Sequence, residues 1–122
     1  MRGCARDMAF RVQVTPRAQA DVRAIHNYLL GESPQAALGF IEGTRRVVAD
    51  LCYFPRRHPL IPERVLRDRE IRHALCWGYR VIFEIREDTC DVLTIRHAAR
   101  RPVGRDDLGT ASASDHPDVA AE

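Results

Sequence analysis

From Arg69 to Arg101 the chain reads REIRHALCWGYRVIFEIREDTCDVLTIRHAARR, and its apolar residues recur every second position through Tyr79, Val81, Phe83 and Ile85, then through Leu93 and Ile95. A period of two belongs to strands with one buried face. Three strands are predicted, Arg69–Leu75, Tyr79–Arg86 and Asp91–His97, joined as hairpins through Trp77-Gly78 and Glu87-Asp88-Thr89. Arg and His fill many of the alternate positions. The sheet is therefore expected to have an oily face and a basic face.

Upstream the period changes. Phe10 to Val14 alternates and predicts a first strand, after which Thr15-Pro16 opens a helix, with Thr as cap and Pro at the first helical position. Ala18, Val22, Ile25 and Leu29 form its apolar stripe, and Gly31 marks its end. Ser33-Pro34 repeats the start signal for a longer amphipathic helix through Ala37, Phe40, Ile41, Thr44, Val47, Val48 and Leu51, stopping near Pro55. So short a connection makes the two helices antiparallel neighbours. Phe54 to Asp68 is expected as a loop. The fold class is α+β in the order β-α-α-β-β-β, a helix hairpin packed on a mostly antiparallel four-stranded sheet.

A chain of 122 residues has room for one core. Residues 1–9 read as a flexible leader, 10–101 as the folded domain and 102–122 as a disordered, acidic tail. No apolar run is long enough to span a membrane, the N-terminus lacks the apolar centre of a secretory signal, and a cytoplasmic location is expected. All nineteen basic residues are arginine. Net charge is +2 over residues 1–53, +5 over 54–105 and −5 over 106–122. Cys4, Cys52, Cys76 and Cys90 have no metal-ligand spacing, so neither metal nor cofactor is expected, and the thiols are expected to be unpaired.

The ordered set of an alternating first strand, Ala20-Asp21-Val22 to Ile25 and Tyr28, Ser33 to Ala37, Phe40-Ile41, Leu51 to Pro55, Arg69-Glu70-Ile71, Gly78 to Phe83, and Ile95-Arg96-His97 to Arg100 resembles the RelE/ParE superfamily of toxins. The resemblance covers residues 10 to 101. It implies the growth-inhibiting toxin of a type II toxin-antitoxin module, of the kind also called a plasmid stabilisation system, held in a hetero-oligomer by a cognate antitoxin.

Two mechanisms stay open. The ParE-like one is binding to DNA gyrase, which needs no catalytic constellation and is favoured by the lack of a Tyr after Arg101. The RelE-like one is ribosome-dependent cleavage of mRNA, which needs a proton acceptor for the ribose 2′-hydroxyl, cations for the charge at phosphorus and an acid for the leaving oxygen. His97, Arg96 and Arg100 are the candidate catalytic residues if the chain is an endoribonuclease. Arg69, Arg72, Trp77, Arg80 and Arg101 are the candidate binding residues, and Arg56, Arg57, His58, Arg64 and Arg67 form a further basic loop.

Each has a plainer reading. His97 also suits a structural role at a strand end, and Arg72, Arg80 and Arg86 suit a solvated face paired with Glu70 and Glu84. Tyr28, Tyr79 and Phe83 are assigned to the core by phase. Trp77 either stands exposed as an interface residue or folds back over the sheet edge.

Overall fold

The computed structural model describes residues 9–63, 68–99, 104 and 108. Its elements are β1 (Arg11–Val14), α1 (Pro16–Glu32), α2 (Pro34–Leu51), a 3-10 turn at Pro55–Arg57, β2 (Ile71–Cys76), β3 (Tyr79–Arg86) and β4 (Thr89–His97). The sheet order is β1-β4-β3-β2, with β1 parallel to β4 and the other pairs antiparallel. The α+β architecture is the one expected.

Both helix starts follow from their caps. Thr15 Oγ1 accepts the Ala18 N–H at 3.2 Å and donates to the Val92 carbonyl at 2.8 Å, so one hydroxyl starts α1 and fixes it to β4. Ser33 ends α1, donating its N–H to Leu29 O at 2.7 Å, and starts α2, accepting the Ala36 N–H at 3.2 Å. Helix α1 runs past Gly31 to Glu32, because the stop is imposed by extended Ser33 ahead of Pro34.

Between helices and sheet lies a core containing Ala18, Phe40, Leu51, Ala74, Tyr79, Val81, Phe83, Ile85, Cys90, Val92 and Ile95. Phe40 meets the Tyr79 ring at 5.2 Å. Leu93 departs from the expected alternation. The β3–β4 register shifts at Ile82/Phe83, pairing Ile82 with Thr94 and Phe83 with Val92, so Val92 and Ile95 stay under the helices while Leu93 goes to the reverse face. There it joins Ile61, Ile71, Ile82 and Leu108 in a second buried cluster. The reverse face is thus not simply basic. Tyr28 also corrects the phase assignment: it is 62% exposed.

The turn between β2 and β3 is the two-residue kind, with φ of 54° at Trp77 and 80° at Gly78. The β3–β4 turn is Glu87-Asp88, one residue shorter than expected, and β4 begins at Thr89, two residues earlier than expected. Cys52, buried where its carbonyl receives the Phe10 N–H at 2.7 Å, is disulfide-bonded, a correction to the expected free thiol. Cys76 and Cys90 are free and buried, and burial pushes the Cys90 thiol up to about 12. The leader and nearly all of the tail lie outside the described residues.

Candidate functional site

Arg80, the second residue of β3, lies on the sheet's reverse face. Its two Nη groups each bond the Glu63 carboxylate at 3.0 Å, and its Nε–H donates to His73 Nδ1 at 2.9 Å. Both side chains of the ion pair are nearly buried, at 8% and 9% exposure. Burial first, then the Arg80 charge, pulls the His73 pKa below its ordinary value. Arg69 forks onto Glu84 at 2.8 and 3.0 Å, and Arg86 reaches Asp91 at 2.6 Å. Arg96 lies opposite Arg80 in the β3–β4 register and is also buried.

Arg72 lies elsewhere. Its register partner is Phe83, on the helix side. It donates to Glu70 at 3.0 Å and to the His58 carbonyl at 2.6 Å, while Arg56 forks onto the same Glu70 with two bonds of 2.9 Å. The Arg56 bond is the largest cause of the lowered Glu70 pKa. The basic loop is therefore tied down as well, since Arg57 contacts Asp50 at 3.8 Å. Arg64, Arg67, Arg100 and Arg101 are outside the described residues.

His97 and Arg96 do not share a face. Neighbours on a strand point to opposite sides, and His97 pairs with Tyr79, whose ring it meets edge-on at 5.1 Å on the helix side. Its Nδ1 accepts the Ala99 N–H at 3.0 Å, which turns the exposed Nε2 outward as a donor. Among the described residues the titratable groups beside Arg80 are Glu63, whose carboxylate is held by both Nη groups, and His73, whose Nδ1 is already engaged. Chemically, this arrangement holds charge and shape. Arg56, Arg69, Arg80 and Arg86, each making two bonds to a carboxylate, would have to abandon it before gripping a phosphate, and for the largely buried Arg69 and Arg80 pairs that is costly.

Trp77 is packed on one side and open on the other. Its indole lies on the α2 flank, so close that a Cβ at Gly39 would fall 2.2 Å from Cζ2, yet 57% of the residue stays exposed. Among the described residues no group of three or more His, Cys, Asp or Glu could hold a metal ion, and no helix is long and apolar enough to cross a membrane.

A sequence model of the ParE toxin of a type II toxin-antitoxin system, parDE, matches residues 12–102. The chain belongs to the ParE toxin family. In fold this family member is similar to a solved chain of the chromosomal ParDE TA system from P. aeruginosa, with a TM-score of 0.59 and 21% identity, covering 72% of this chain and 95% of that one. No curated protein matches it. RelE/ParE superfamily membership, expected from the ordered motifs, holds.

Three site residues of this ParE-family chain escaped the sequence reading. Glu63 and His73 complete the Arg80 network, and Asp21 accepts both Thr94 Oγ1 at 2.6 Å and the Ile95 N–H at 3.0 Å where β1 no longer covers β4. Burial raises the Asp21 pKa, against the pull of those two bonds. His73 was legible in principle, because it falls on the Ile71 phase of β2. Glu63 carried no local signal.

Proposed function

We propose that this chain is the toxin of a toxin-antitoxin pair and arrests growth by binding DNA gyrase, without cutting RNA. The observation that carries the reading is the engagement of Arg69, Arg80 and Arg86 with Glu84, Glu63 and Asp91, together with the placement of His97 and Arg96 on opposite faces. A nuclease of the RelE kind needs guanidinium groups open to phosphate and a proton carrier among them. A binder needs only a rigid, shaped surface, and the largely buried two-bond forks of Arg69 and Arg80 supply rigidity.

Neutralisation is by an antitoxin, as the ParDE system of P. aeruginosa pairs two components. An acidic antitoxin segment suits a chain whose 54–105 half carries net +5.

The test is induction without antitoxin, with mapped transcripts, the DNA-damage response and gyrase supercoiling followed together. Growth arrest with inhibited gyrase and intact transcripts is the expected result. Codon-phased mRNA cuts, abolished by His97→Ala, would replace this reading with the ribonuclease one.

A further inference from the structure

The reverse face of the sheet carries a leucine from beyond the family domain. On β3 the residues of that face run Arg80, Ile82, Glu84, and they pair in register with Leu75, His73 and Ile71 of β2. Ile82 and Ile71, with Leu93 and Ile61, thus make an apolar floor between the fork of Arg80 onto Glu63 and that of Arg69 onto Glu84. Leu108 is seated on this floor and only 3% exposed. The match to the ParE family model ends at residue 102, so the contact comes from outside the matched domain.

A single leucine makes a reversible anchor. Burying such a side chain favours the seated state over the released one on the order of tenfold to a hundredfold. The end of β4 at His97 is close in sequence, so a released Leu108 stays tethered near its floor and returns without dilution. The stretch it belongs to is acidic: residues 106–122 hold five acids and no Arg or Lys, against a net +5 over residues 54–105. Attraction between the two adds to the seated state and weakens with salt.

We infer that Leu108 anchors an autoinhibitory contact: seated, it closes the reverse face to gyrase, and gyrase must displace it to bind. The inference rests on the gyrase reading above and names the regulation of the same rigid face, the one that the forks of Arg69 and Arg80 hold in shape. Apparent affinity scales with the fraction of molecules whose face is open, so the covered chain binds its target on the order of tenfold to a hundredfold more weakly than an uncovered one.

Two measurements on the full-length chain test this. One is the set of methyl resonances of Ile61, Ile71 and Ile82, with Ile85 and Ile95 on the helix side as internal reference. The other is the concentration that half-inhibits gyrase supercoiling. Leu108→Asp should shift the first three methyls, leave the other two in place and lower that concentration about tenfold or more. Leu38→Asp, the same change at an exposed leucine of α2, should move it by less than about twofold. Leu108→Ala should act in the same direction to a smaller extent, and it decides the matter if Leu108→Asp also disturbs Ile85 and Ile95. Reverse-face methyls that stay in place overturn the contact itself. Methyls that move without any gain in inhibition overturn its competition with gyrase. Gyrase left active by the unaltered chain and by every variant overturns the gyrase reading and the competition with it.

Discussion

Arg80 donates its Nε–H to Nδ1 of His73 at 2.9 Å, so the proton of that imidazole sits on Nε2. A second proton would have to enter between the ring and a guanidinium. Burial, and after it the Arg80 charge, holds the folded-state pKa of His73 below its ordinary 6.5, and burial depresses that of His58 in the same sense. The unfolded chain therefore takes up protons first: the stabilisation is complete above the unfolded value and is lost as pH falls from there through the folded one. Urea midpoints measured from about pH 7.5 down to about pH 5 should decline, and His73→Gln should flatten the slope. A wild-type profile without that decline would remove the constraint on His73.

The Arg80–Glu63 pair should be strongly coupled. Arg80→Met strips two hydrogen bonds from a nearly buried carboxylate and is expected to cost about 3–5 kcal/mol, while the double variant with Glu63→Leu costs less than the two single changes added together. Denaturation of all four proteins of the cycle gives the coupling. Additive losses would mean that the pair holds nothing in place.

Asp21 should tolerate loss of charge but not loss of its oxygen. Asp21→Asn keeps an acceptor for Thr94 Oγ1 and Ile95 N and relieves the burial of a charge, so stability is held or gained. Asp21→Ala strands both donors and should cost about 1–3 kcal/mol. Equal effects from the two substitutions would refute the acceptor role.

Gly39→Ala should dislodge the indole of Trp77, the chain's single tryptophan, because the new methyl falls 2.2 Å from Cζ2. Emission then shifts toward that of solvated indole. Gly31→Ala meets nothing within 4 Å and should leave emission unchanged while stabilising α1 by at most about 1 kcal/mol. Identical spectra for the two variants would mean that the indole does not rest on α2.

What the sequence revealed was local. Thr15-Pro16 and Ser33-Pro34 announce their helices through bonds spanning three residues, and the alternation through Tyr79 to Ile85 survives because strand geometry enforces it. The site was less legible. Glu63 reaches Arg80 across 17 positions, from a loop without periodicity, so nothing local marked Arg80 as neutralised. Leu93 was misplaced by a one-residue bulge, which reverses the facing of everything beyond it. Tyr28 lies at the border of the α1 stripe, where its neighbour Leu29 does the packing. The separation of His97 from Arg96 could have been read directly, since adjacent strand residues never share a side.

The parallel ladder between Arg11–Val14 and Thr89–Val92 joins the first strand to the last. On a ribosome the opening strand must wait, without a neighbour, until the closing one has emerged. The sheet of a chain built this way closes only after β4 has been synthesised.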